Sequence, residues 1–236
     1  MSNLGDILIH LVRHGRVASH RGDVSITEQG RKETRYAGMR MAESVKPSEE
    51  IHVLCTSNVR SKETAATLYE TLKEHVGPDV ELAAPREEWA IRNPDQFLAG
   101  RRVEMVSTAQ AIADQIPGTG ASVDAVDAVA YYHAFFRSSD RIGYWLEHPS
   151  PPGEDSAAVG RRIVSFCTSL LDLPAARRRR VVCVTHSPVM RAVLVRYMDH
   201  DPGEPGWVER VDLVLRPDES TITYRDRTAP LLSGRP

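Results

Sequence analysis

Ile7-Leu8-Ile9-His10-Leu11-Val12 is a short, β-branched-rich apolar run, bounded by Gly5-Asp6 and cut off by Arg13-His14-Gly15. It is too short for a helix and lacks the alternation of a half-buried strand. It therefore predicts a strand covered on both faces, which is the mark of a parallel sheet. Ile51–Cys55 and Val181–Val184 repeat the pattern, and Val80–Leu82 is a candidate for another strand. Helical patterns lie between them: Thr27 as N-cap of a helix to about residue 45, then 58–76 with Ala65, Ala66, Leu68 and Leu72 on one face, then 156–171. Ser187-Pro188 opens a last helix as N-cap and N1. This alternation predicts an α/β fold: a three-layer sandwich with a mainly parallel central sheet covered by helices on both faces.

The alternation breaks between residues 86 and 148. Two helices are expected there, at about 100–116 and 124–147, joined by Pro117-Gly118-Thr119-Gly120. With no long linker at either flank, this stretch reads as a helical cap inserted into one domain spanning 1–236. Tyr131, Tyr132, His133, Phe135 and Phe136 read as cap packing. Val211–Leu215 and Thr221–Tyr224 predict a closing hairpin with its turn near Pro217-Asp218, and the tail from Thr228 is expected to be loose. Arg177-Arg178-Arg179-Arg180, at a helix end, reads as a solvated cationic cap.

The 236 residues carry 30 Lys+Arg against 32 Asp+Glu, a net charge of -2, so the basic excess needed to coat a nucleic acid is missing. No apolar stretch approaches the roughly 18–20 residues of a membrane span. Met1–Asp6 shows no basic region leading into an apolar one, so no secretory leader is expected. Cys55, Cys167 and Cys183 are odd in number and widely spaced, which reads as reduced core thiols of a cytoplasmic protein. Gly118-x-Gly120 lacks a preceding strand and a third glycine, so it is not a nucleotide loop. No convergent set of metal ligands is evident. The expected partner is a small molecule, with neither nucleic acid nor membrane, and oligomeric state leaves no mark.

Sites of open α/β sheets lie beyond the C-terminal ends of the strands. Three strands end in conspicuous polar residues here: Arg13-His14-Gly15-Arg16; Thr56-Ser57, with Arg60 one turn on; and Thr185-His186-Ser187 at a helix start. Two histidines and two arginines at one sheet edge suit a phosphoryl group. A neutral imidazole can take that group covalently. Planar guanidinium forks bind its oxygens in pairs and should hold the histidine unprotonated. Gly15 leaves room for the phosphate, and free N–H groups from Ser187 onward add an anion-binding dipole.

Leu11-Val12-Arg13-His14-Gly15 resembles the signature of the histidine phosphatase superfamily, the phosphoglycerate-mutase-like proteins. Ile26-Thr27-Glu28-Gln29-Gly30 resembles that family's L-T-E-x-G helix start. Thr56 to Ala65 resembles its S-S-x-x-x-R-x-x-x-T-A segment, Pro152-Gly153-Glu154-Asp155 its late loop, and Val184-Thr185-His186 the strand carrying its second histidine. The resemblance implies a cofactor-free phosphomonoesterase with His14 as the phosphorylated nucleophile and Arg13, Arg60 and His186 as the phosphate pocket. It also implies a carboxylic acid after the third strand, for which Glu87 is favoured and Glu88 remains open. A phosphomutase and a non-catalytic phospho-ligand binder are the rival readings. The chain departs from the family at Arg16, Val17, His20 (where an Asn is usual) and Ser187 (where a Gly is usual).

Overall fold

The computed structural model describes residues 6–20, 22–172, 177–216 and 218–231. In chain order the elements are β1 (Ile7–Arg13), α1 (Glu28–Ala42), β2 (Glu50–Cys55), α2 (Val59–His75) and β3 (Glu81–Glu87), then β4 (Asp95–Leu98), β5 (Arg101–Glu104) and four short helices, α3 (Ala109–Ala113), α4 (Val123–Asp127), α5 (Ala130–Arg137) and α6 (Arg141–Glu147). They continue with α7 (Ser156–Ser169), β6 (Arg179–Thr185), α8 (Ser187–Met198), β7 (Arg210–Leu215), β8 (Thr221–Tyr224) and β9 (Arg227–Pro230). The main sheet runs β3-β2-β6-β1-β7-β8-β9. Its first four strands are parallel, and β7, β8 and β9 extend it antiparallel.

Strand residues alternate between two apolar layers, as a period of two requires. Val12, Val53, Val182 and Val184 pack with Met41 of α1 and Leu68 and Leu72 of α2. Ile9, Leu11, Val181 and Cys183 pack with Ile163 and Cys167 of α7 and Val193 of α8. Both faces are covered, so the expected layered α/β sandwich is what forms. Thr27 caps α1 as expected, its hydroxyl accepting from the Gly30 N–H.

The structure corrects the reading of residues 86–148. The expected helix at about 100–116 is instead β5, paired with β4 in register Gln96↔Val103, followed by a five-residue α3. The tight turn between the two strands holds Ala99 and Gly100 at φ 49 and 69, and a chain reversing there cannot wind into a helix. The expected helix at 124–147 is three short ones. Ser138 ends α5 in extended backbone, and the Asp140 carboxylate starts α6 anew by capping the Gly143 N–H. The aromatic residues do pack within the cap: Tyr131, Tyr132 and Phe135 are buried, while His133 is exposed and pairs with Asp127. The tail also differs from expectation, because Arg227–Pro230 pairs with β8. Pro217, at the expected hairpin turn, lies outside the described residues.

The arginine run is not a solvated cap. Arg180 is 1% exposed, and its Nε donates to the carboxylate of Glu49, itself 0% exposed, at 2.9 Å. A second nitrogen sits 2.8 Å from His10 Nε2, and His10 Nδ1 lies 2.7 Å from Asp212. Arg178 joins Glu49 as well, while Arg179 pairs with Glu50. β6 begins inside this run, so every second residue of it must turn into the molecule.

Cys55, Cys167 and Cys183 are buried and free. Among the described residues no helix is long and apolar enough to cross a membrane.

Candidate active site

Three strand ends build one cavity of about 710 Å³, lined by Arg13, His14, Arg60, His186 and Ser187 together with cap residues and a loop before β7. His14 leaves β1 with its N–H bonded to Thr185 O, which sets the two histidine-bearing strand ends side by side. The His14 and His186 rings lie 5.3 Å apart.

The His14 Nδ1 is 2.9 Å from the carbonyl of Gly15. A carbonyl only accepts, so the ring proton is on Nδ1 and Nε2 keeps its lone pair. Burial, then Arg60, holds the His14 pKa down to about 2, with Arg13 adding to the effect. The arginines were expected to lower it, but loss of water around the ring is the larger cause. His186 is pushed well below the usual imidazole range by burial first, then by Arg60, His14 and Arg13.

Gly15 stands behind the nucleophile and not in front of it. Its N–H donates to Thr64 Oγ1 at 2.8 Å, and a Cβ there would meet Thr34 Oγ1 at 2.9 Å. The glycine is therefore required for the loop to pass between α1 and α2, and the room it leaves is on the helix side.

The cationic side chains are buried and incompletely satisfied. The Arg13 side chain is 6% exposed, pairs with Glu204 at 2.6 Å, and lies 3.9 Å from the centroid of the Trp207 ring. Arg60 is 13% exposed and reaches Asp23 at 3.5 Å. Among the described residues Arg13 Nε, Arg60 Nε, His186 Nδ1 and Asn93 Oδ1 are buried without a hydrogen-bond partner, and all four belong to cavity residues. Buried polar atoms are nearly always paired, so orphans gathered at one cavity point to an absent polar ligand. Three of the four are nitrogens of basic side chains, which suits an anion. His186 Nε2 is held by Thr56 Oγ1 at 3.1 Å. Ser187, at the first turn of α8, turns its hydroxyl to Glu204 at 2.6 Å. The capping position of that helix is His186 itself, one residue before the expected one.

Glu87 and Glu88 are not brought to the cavity. Glu87 closes β3 at the surface and pairs with Lys62 at 2.7 Å. Glu88 accepts from the Ala90 N–H to start the Trp89–Ile91 turn and pairs with Arg86. The late loop has a holding function. The Glu154 carboxylate takes the Asp95 N–H and pairs with Arg162, whose guanidinium also binds the Ala90 and Arg92 carbonyls.

Asn93, Glu104 and Glu204, missed in the sequence reading, also line the cavity, and Trp207, missed as well, packs against Arg13. Trp207 touches both His14 and His20, with ring centroids 5.5 and 5.4 Å away. It sits in a loop with no periodicity. The one signal was a lone tryptophan amid Pro, Gly and Glu, where nothing apolar was needed. Among the described residues no cluster of three or more metal-type ligands is present.

Fold and site together define a mixed-sheet α/β protein with a paired-histidine, paired-arginine anion pocket at its strand ends. Residues 132–213 match the family model of the histidine phosphatase superfamily (branch 1), the family that the sequence motifs resemble. The chain is similar in fold to phosphoglycerate mutase from Bacillus anthracis str. Sterne, with TM-score 0.56, 13% identity and 94% of each chain covered. It is likewise similar to a mycobacterial glucosyl-3-phosphoglycerate phosphatase (TM-score 0.51, 16% identity, 89% of each chain). A third likeness is to phosphoserine phosphatase from Entamoeba histolytica (TM-score 0.51, 12% identity, 94% of this chain and 96% of that one). No curated protein matches the chain.

Proposed function

We propose that this protein hydrolyses a small phosphorylated metabolite through a phosphohistidine on His14, without a metal. The observation that carries the reading is the unprotonated His14 Nε2 set among buried cationic side chains that have nitrogens to spare. In this reading Nε2 attacks phosphorus and the ester oxygen leaves. Arg13, Arg60 and His186 hold the three phosphoryl oxygens, where charge stays through the transition state. Water then breaks the P–N bond, releasing phosphate and restoring His14. Three buried free thiols support a cytoplasmic setting.

The test is release of phosphate from phenyl phosphate in excess chelator, with alkaline denaturing quench of a labelled reaction. The expected result is chelator-resistant turnover with label held in an acid-labile, base-stable bond on His14. Label that passes to an added alcohol or sugar hydroxyl, with little free phosphate, would establish a phosphomutase instead. Absence of both label and turnover across a panel of phosphomonoesters would leave a binding module.

A pH profile gives a second check. With its pKa near 2 in the free protein, His14 is unprotonated at every working pH. After correction for substrate ionisation, kcat/KM should therefore show no loss traceable to this nucleophile from pH 7 down to about 4. A tenfold fall per pH unit beginning near the ordinary imidazole value would contradict the environment described for His14.

A further inference from the structure

A phosphohistidine mechanism needs a group that gives a proton to the leaving oxygen and takes one from water, and the carboxylates expected for it lie outside the cavity. The five carboxylates that do line the cavity are all engaged. Asp23 accepts from the Val59 N–H and from Arg60. Glu104 accepts from Asn58, and Asp114 from Gln110. Asp140 takes both the Gly143 N–H and Arg191, and Glu204 takes Arg13 and Ser187. Asp23, Asp140 and Glu204 are thus held by guanidinium groups, and Glu104 and Asp114 by the side-chain amides of Asn58 and Gln110.

Apart from His14 and His186, one imidazole of the cavity makes no side-chain hydrogen bond among the described residues. The His20 ring lines the cavity with its centroid 5.9 Å from that of His14, set edge-on at 83°, and Trp207 lies against it. Neither of its ring nitrogens has a hydrogen-bond partner among the described residues. Its backbone is nonetheless anchored, the His20 carbonyl accepting from Ser107 Oγ at 2.5 Å.

Resting on the proposed phosphatase reading, we propose that His20 is the proton donor and acceptor of the reaction. The groups around it are Arg60 of α2, Arg13 and His14 of the β1 end, Glu204 of the loop before β7, and Arg141 of α6. Burial, followed by Arg60 and Arg13, lowers its pKa in the free protein, so it waits as a neutral imidazole. A phosphomonoester entering as its monoanion brings one proton. Settling between Arg13 and Arg60 as the dianion, it passes that proton to His20. Nε2 of His14 then forms the N–P bond, the P–O bond to the alcohol breaks, and the alkoxide takes the proton from the His20 imidazolium. In the second half, neutral His20 takes a proton from the attacking water and the P–N bond breaks. Phosphate leaves with the proton that His20 holds, so atoms and charge balance over the cycle.

The test is a leaving-group series run on the full chain and on His20→Asn. The replacement can still donate a hydrogen bond but exchanges no proton at working pH. Aryl phosphates from 4-nitrophenyl to 4-methoxyphenyl, with an alkyl phosphate, are compared by kcat/KM, which reports steps only through departure of the leaving group. A general acid contributes on the order of 10²–10⁴-fold. The expected loss in His20→Asn is of that size for the alkyl phosphate and only a few-fold for 4-nitrophenyl phosphate, whose anion leaves unaided. Inhibition by inorganic phosphate should stay within a few-fold of wild type. An equal loss for every leaving group, with weaker phosphate inhibition, would overturn the proposal and make His20 a phosphate ligand. An unchanged series would overturn it as well, and so would a steepened series in Glu87→Gln/Glu88→Gln. The proposed function fails by a different sign: a wild-type protein that turns over none of the series and takes no label on His14, in which case the role of His20 falls with it.

Discussion

Replacing His14 by alanine should lower kcat/KM for any phosphomonoester by at least about 10⁴-fold, the scale seen when a nucleophile is removed from a covalent mechanism. The arginines and His186 would still bind phosphate, so inhibition of wild type and binding by the variant should stay comparable. That separates loss of chemistry from loss of the pocket. The same substitution has a second readout. The His14 pKa falls from an ordinary 6.5 in the unfolded chain to about 2 in the folded one. Below pH 6.5 the unfolded state therefore binds a proton that the native state refuses, and stability drops as pH falls towards 2. Each such group costs about 1.4 kcal/mol per pH unit within that window. Alanine removes one of them, so the variant's unfolding free energy should decline less steeply than wild type between pH 6 and about 4.5. Denaturant unfolding at several pH values measures this, and equal slopes would mean that His14 is not buried as described.

The largest stability effect is expected far from the cavity. Glu49→Ala leaves Arg180 buried with its charge uncompensated except by the polar groups of His10 and Ser44. Breaking a buried pair by removing one partner costs about 3–5 kcal/mol. The pair sits where β6 begins, whereas His186 follows its end. The kcat/KM of the folded fraction should therefore hold within a few-fold. Urea unfolding of Glu49→Ala, Arg180→Met and the double variant gives the coupling. A double variant far more stable than the sum of the single losses is the expected pattern, because neither charge is then left alone. Losses under about 1 kcal/mol for both single variants would show the pair to be reached by water.

The parallel core was legible because β1, β2 and β6 are covered on both faces and carry almost nothing polar in their middles. Arg13, His14 and His186 were legible for a related reason, since each stands where such a run stops, and Arg60 because it opens the helix that follows one. The hairpin β4–β5 was not, because its turn uses Ala99 at positive φ where the usual signal is Asn-Gly or Gly-Gly. The tail strand β9 was hidden in the same way, with Arg225 at φ 55 in a tight turn that lacks a glycine. Arg180 was misread because charged side chains are nearly always exposed. Its partners, His10 and Glu49, are far from it along the chain, so only the folded sheet reveals the pairing. Glu87 and Glu88 show the converse error, in which the right residue type after the right strand is already engaged by Lys62, Arg86 and a backbone turn.

Arg191 has a mechanical consequence for the cavity. It is 1% exposed, and its one guanidinium grips Asp140 at the start of α6 and Asp201 in the loop that carries Glu204 and Trp207. The cap wall and the loop that covers the nucleophile are thus riveted to a single point on α8. Neither can swing outward alone without pulling on the other's anchor, so the mouth would widen or narrow as one hinged piece.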